Sequence, residues 1–180
     1  MLIKNSHLLI DTCCLLNLCA SGELLNILQV ISISVQAAIV EEVKQELQKI
    51  ENIEHFEIAI KQNLLLIVDF QSDVEETAFI NYASEIDDGE AATGAIAINR
   101  NWAIATDDKK AAKFLSQESP YLQIVSTPEI IKYWSKIANI ESSKLSDVLN
   151  EIRVKARYCP DKNHSLKSWW EMAIIPNPLR

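Results

Sequence analysis

The chain has 180 residues, 48% hydrophobic and 23% charged, with a formal net charge of −8; this is the balance of one ordinary globular domain. Three glycines and five prolines are too few for a β-sandwich rich in tight turns, or for long flexible linkers. The acidity argues against a broad basic surface of the kind that grips a nucleic-acid duplex. It is compatible with bound divalent cations, which reverse the local charge of an acidic site.

Cys13, Cys14, Cys19 and Cys159 form a poor disulfide framework, because two are adjacent and three share one apolar segment. They read as buried reduced thiols. His7, His55 and His164 do not supply the paired ligands of a zinc site. No stretch reaches the ~18 apolar residues needed to span a bilayer. The opening apolar run is broken by Asp11 and lacks a small-residue cleavage pattern. The expectation is a cytoplasmic protein with no membrane contact.

In chain order, His7–Ile10 (HLLI) is a short apolar run that predicts a buried strand. Leu15, Leu18, Leu24, Leu25 and Leu28 then recur at helical spacing, and Ser21-Gly22 divides them into two short helices. Val30–Val35 (VISISV) alternates apolar with polar and predicts the second strand. From Ala37 to about Ile60 the spacing of Ile39, Val43, Leu47 and Ile50 predicts a helix. Leu64–Val68 is the third strand, Asp73 to Glu85 a helix, and Glu90 opens an alanine-rich helix of small residues. Trp102–Ala105 and Leu122–Val125 are strands four and five, with a helix over Lys109–Ser116 between them. Thr127 is placed as the N-cap of a further helix, with Pro128 at its first position.

Alternating short strands and helices predict an α/β fold, a three-layer α/β/α sandwich on a mostly parallel sheet of about five strands. It spans residues 1–140. Residues 141–180 form a C-terminal extension of unknown role: an amphipathic helix over Ser142–Arg157, then a tail carrying Trp169-Trp170 and Pro176-Asn177-Pro178.

In parallel sheets, sites form at the carboxyl ends of strands. Asp11 and Asp107/Asp108 fall at such ends; Glu42, a few residues past VISISV, and Glu90, directly after the Asp-Asp-Gly break, lie in helical segments nearby. Clustered carboxylates raise one another's pKa unless a cation compensates, and oxygen ligands of this kind suit Mg²⁺ or Mn²⁺. Each acid also has a plainer reading. Asp11 and Asp107/Asp108 could cap helices, Glu42 could be a solvated surface charge, and Glu90 could favour a helix N-terminus through the dipole.

The segments HLLIDTCCLLNLCASGELLNIL, ISISVQAAIVEEV, DDGEAATGAIA and AIATDDKKAAKF, in that order over about residues 7 to 127, resemble the PIN-domain family. The likeness is to the branch that reads Asp-Ser/Thr at strand one, a Val-x-x-Glu helix, a Gly-Glu helix start and Asp-Asp after strand four. The resemblance implies a metal-dependent endoribonuclease, as in the VapC-type toxins of toxin–antitoxin pairs, using Mg²⁺ or Mn²⁺. It assigns Asp11 as the first acid, Glu42 as the second and Glu90 as the third. The fourth is Asp108, which shares a strand face with Thr106, or else Asp107. Thr12 and Thr106 become supporting hydroxyls. RNA as substrate, an antitoxin protein and a homodimer are the implied partners. The competing reading is a catalytically inactive module of the same fold serving as an interaction platform. A phosphoacceptor receiver shares the α/β plan, but neither its central aspartate nor its later lysine is convincingly present.

Overall fold

The computed structural model describes residues 3–47 and 54–175. Five strands form one all-parallel sheet: β1 (His7–Ile10), β2 (Gln36–Val40), β3 (Leu65–Val68), β4 (Ala103–Ala105) and β5 (Ile124–Val125), in the order β3-β2-β1-β4-β5. The described residues contain ten helices. The first eight are α1 (Thr12–Ala20), α2 (Leu24–Ile31), α3 (Glu41–Leu47), α4 (Glu54–Lys61), α5 (Asp73–Tyr82), α6 (Asp88–Arg100), α7 (Lys109–Glu118) and α8 (Thr127–Ile137). The extension adds α9 (Ser142–Lys155) and α10 (Lys167–Ala173). The fold is the expected three-layer α/β/α sandwich.

The sheet grows outward from β1 in both directions. The chain runs β1, β2, β3 along one wing, then crosses back to place β4 on the other side of β1. The order therefore reverses between β1 and β4, and such a switch point opens a crevice at the strand ends. Leu8, Leu9 and Ile10 of β1 are wholly buried, as are Ala103, Ile104 and Ala105 of β4. Strands covered on both faces are continuously apolar rather than alternating.

That rule explains the displaced second strand. Val30–Val35 is not β2: Val30 and Ile31 close α2, and Ile33 is 72% exposed. The strand is the next segment, Gln36–Val40, whose last four residues are buried. Its alternating neighbour imitated a half-buried strand, whereas the true one has the look of a helix start. The helix expected from Ala37 begins only at Glu41 as α3; Ile50 lies outside the described residues, and so does Pro176-Asn177-Pro178.

The N-cap of α8 is Ser126, not Thr127. Ser126 accepts the N-terminal role, and Glu129 Oε2 answers by accepting the Ser126 amide at 2.8 Å. Thr127 is freed for another partner, met below. The small residues of α6 pack closely, as expected: a Cβ on Gly94 would meet Leu115 Cδ2 at 2.3 Å. At its C-terminal end, α6 is held by Arg100, whose guanidinium makes two bonds to Glu75 of α5, at 2.7 and 2.8 Å.

The extension is integral to the fold. Its helix α9 packs on α1 and α10, and Trp170 is 1% exposed, edge-on to Tyr158 at 5.9 Å. His164 accepts the Leu166 amide on Nδ1 at 3.0 Å, so its Nε2 carries the proton and donates to Ser126 Oγ, also at 3.0 Å. Among the described residues, no helix is long and apolar enough to cross a membrane. Cys14 is buried as expected, but Cys159 is exposed; all four cysteines are free thiols.

Candidate functional site

Asp11 ends the central strand and turns the chain into α1. Its amide donates to Ala105 O at 2.9 Å, binding it to the end of β4. Its carboxylate accepts three bonds: Thr12 N at 2.7 Å, Cys13 Sγ at 3.1 Å and Thr106 Oγ1 at 3.0 Å. Thr106 in turn accepts the Asp108 amide at 3.1 Å. One threonine hydroxyl thus couples the two strand ends across the switch point. Asp11 is only 3% exposed. Burial pushes its carboxyl up, the Glu46 carboxylate adds to this, and the three bonds oppose it by favouring the charged form. The Cys13 thiol is pushed up to about 12 by burial and by Asp11, so it serves as a neutral donor.

Glu90 stands in the first turn of α6 and reaches back toward the Asp87 amide, a long contact of 3.4 Å. Burial, then the carboxylates of Asp108 and Asp11, push its carboxyl up to about 7. Asp108 caps α7 through Oδ1, which accepts the Ala111 amide at 2.8 Å. Asp11, Glu90 and Asp108, from three separate elements, therefore share one electrostatic field. The second expected acid, Glu42, has different neighbours.

Glu42 lies in the first turn of α3. Burial raises its carboxyl, and the like charges acting on it are Asp69, Glu41 and Asp88, not Asp11. Its Oε2 is buried with no hydrogen-bond partner among the described residues. Glu46, one turn further along α3, is the acid that meets the site. It accepts a very short bond from the Thr12 hydroxyl and repels the Asp11 carboxylate. A Cβ on Gly89 would lie 2.9 Å from Glu46 Oε1, which places the Glu46 carboxylate against the start of α6. In the sequence, Val43-Lys44-Gln45-Glu46 also reads Val-x-x-Glu, while Glu42 follows Val40 by only two positions.

Asp107 faces inward and is held by the fold. Its carboxylate accepts Asn17 Nδ2 at 2.9 Å, Thr127 N at 3.0 Å, Tyr158 Oη at 2.7 Å and a very short bond from the Thr127 hydroxyl. Of the two adjacent aspartates, Asp108 is the one left with a carboxylate oxygen free of such bonds. Asn17 and Tyr158 are contributors that no local pattern announced.

Among the described residues, no three His, Cys, Asp or Glu side chains stand close enough together, as placed, to hold a metal ion. The donor type nevertheless fits a hard cation. Asp11, Glu46, Glu90 and Asp108 offer carboxylate oxygen alone, and Mg²⁺ keeps several waters while using one or two carboxylates directly. Compared with protein-family models and with curated proteins, the chain matches none. What the fold defines is a class: a parallel α/β sandwich with an acidic edge at its switch point.

Glu90 gives that edge a pH signature. The folded protein holds its proton up to about pH 7, whereas an ordinary glutamate releases it near 4.5. Between these values the folded state binds more protons than the unfolded chain, so its stability falls as pH rises and levels off above 7. In chelator, Glu90→Gln should be more stable than wild type at about pH 8, by on the order of 1 kcal/mol. That figure is well below the full conversion of the shift, because a half-exposed charge is screened. At about pH 4 the difference should vanish. Urea denaturation at both pH values reads it; an equal offset at both would assign the effect to packing.

Proposed function

We propose that the protein is a metal-dependent endoribonuclease that hydrolyses RNA phosphodiester bonds with Mg²⁺ or Mn²⁺ at the acidic edge. The observation that carries this reading is the gathering of Asp11, Glu90 and Asp108 into one field at the β1–β4 switch point, with Glu46 against Asp11 and Thr12. Like charges so arranged repel without a cation, and none of the described cationic side chains pairs with them. The resemblance to the PIN family supports the same chemistry, and it alone supports a toxin role with an antitoxin partner, a homodimer and a cytoplasmic setting.

Asp11, Glu46, Glu90 and Asp108 would hold the metal, which would supply an activated water and charge stabilisation for an in-line displacement. Thr106 and Cys13 hold the Asp11 carboxylate in one orientation. Thr12 does the same for Glu46. Asp107 fixes the loop that presents Asp108. Such support keeps ligands from swinging when charge is exchanged at the site.

The test pairs cleavage with stability. Cutting of single-stranded RNA should require Mg²⁺ or Mn²⁺ and stop with chelator, and metal should raise the melting temperature by preferential binding to the folded state. Asp11→Asn should abolish both effects and leave the fold intact. Cleavage that survives this substitution would place the activity elsewhere. The rival, a non-catalytic interaction module, draws on the absence of three converging ligands among the described residues. Loss of both cleavage and metal-linked stabilisation in the wild type would favour it.

A further inference from the structure

A cleft of about 1110 Å³ runs beside the acidic edge, and its lining is of mixed charge. Asp87, Glu90, Asp107 and Asp108 bound it, and so do Lys155 and Arg157 from the end of α9. Arg157 follows Ala156, the C-cap of that helix, and its φ is +53°. Left-handed backbone at this position is normally taken by glycine or asparagine. The other non-glycine residues with positive φ among those described, Asn63, Asn101 and Asn139, obey that preference. Arg157 alone carries a long cationic side chain there. A strained residue at a cleft invites a functional reason.

The neighbouring contacts sharpen the point. Tyr158 is anchored, its hydroxyl donating to Asp107 Oδ1 at 2.7 Å while its ring meets Trp170. Arg157 is thereby tied to the loop that carries Asp108. Yet among the described residues Arg157 is exposed and makes no hydrogen bond or ion pair. Its charge is not consumed in neutralising the acids beside it. Lys155 is less free, since it pairs with Glu151 one turn back.

We propose that Arg157, assisted by Lys155, is the positioning wall of this cleft and grips the phosphates of a single-stranded RNA lying along the acidic edge. The proposal rests on the nuclease reading and names how that site holds its substrate. A guanidinium matches a phosphate through two parallel N–H bonds. With a net charge of −8 and two cations at the cleft, the grip covers one or two phosphates and tracks no duplex.

Arg157→Asn is the informative variant, because asparagine suits the left-handed backbone and keeps the turn. Binding of a short labelled single-stranded oligoribonucleotide is measured by anisotropy over a range of salt, with Ca²⁺ in place of Mg²⁺. Cleavage is followed in Mg²⁺. Arg157→Asn should weaken binding about tenfold and reduce the slope of log K against log salt by about 0.7, the value of one phosphate contact on a single strand. KM should rise more than kcat falls, thermal unfolding should be unchanged or later, and Arg157→Lys should recover part of the binding. If Arg157→Asn binds and cuts as wild type does, the positioning role is overturned and the nuclease reading stands. If wild type binds RNA in an Arg157-dependent way but never cuts, the nuclease reading fails and the phosphate wall stands. A wild type that neither binds nor cuts RNA overturns both.

Discussion

Glu46→Gln should lower metal-dependent RNA cleavage by more than about 100-fold, while Glu42→Gln leaves it within a few-fold of wild type. Loss of an outer partner of a metal ligand already costs about 10–100-fold, and a ligand should cost at least that. The two glutamates share a helix but face different company. Glu46 takes the Thr12 hydroxyl and acts on Asp11; Glu42 answers to Asp69 and Asp88. Steady-state cleavage of one RNA by both variants, with matched far-UV spectra, decides the matter. Equal losses would mean that α3 as a whole is the sensitive element. A reversed result, with Glu42 essential and Glu46 dispensable, would restore the assignment by resemblance and require α3 to turn when substrate binds.

Asp107→Ala should act on stability instead, by about 1.5–3 kcal/mol, the range of hydrogen bonds to a charged group. Four bonds converge on this carboxylate from Asn17, Thr127 and Tyr158. Removing it leaves the Thr127 amide and the Tyr158 hydroxyl without this acceptor, while Asn17 keeps Thr127 Oγ1 and the Thr127 hydroxyl keeps Cys14 Sγ. Urea titration should show a lower midpoint with an unchanged slope. Asp108→Ala is the control: it loses one cap bond, to Ala111, at about 1 kcal/mol. If the neighbours proved equally costly, Asp107 would be no special anchor. Tyr158→Phe should recover a fraction of the Asp107 effect, since it deletes one of the four bonds and keeps the ring against Trp170.

The sequence made the sheet legible where burial was simple. HLLI is apolar and stops at a charge, so β1 was placed residue for residue. QAAIV was missed because a covered parallel strand can be built from alanine, which has no strand signature of its own. The acids at strand ends were legible because parallel topology sends every strand end to one edge. Glu46 also has a Val-x-x-Glu spacing, counted from Val43, but its contact with Thr12 joins residues 34 positions apart. The division of labour between Asp107 and Asp108 was not legible. It is decided by Thr127 and Tyr158, which lie 20 and 51 positions away, and no local pattern contains them. Arg157 was hidden in the same way: its strain and its cleft exist only once α9 has been laid against α1.

The separation of Tyr158 from Asp107 also sets an order in time. At roughly 5–20 residues per second, synthesis delivers Tyr158 some 3–10 s after Asp107. Until then the cleft lacks Arg157, and Asp107 lacks one of its donors. A nascent chain at that stage would carry the proposed cutting residues with nothing to hold RNA against them. On the proposed reading, a grip on RNA would await completion of the C-terminal extension.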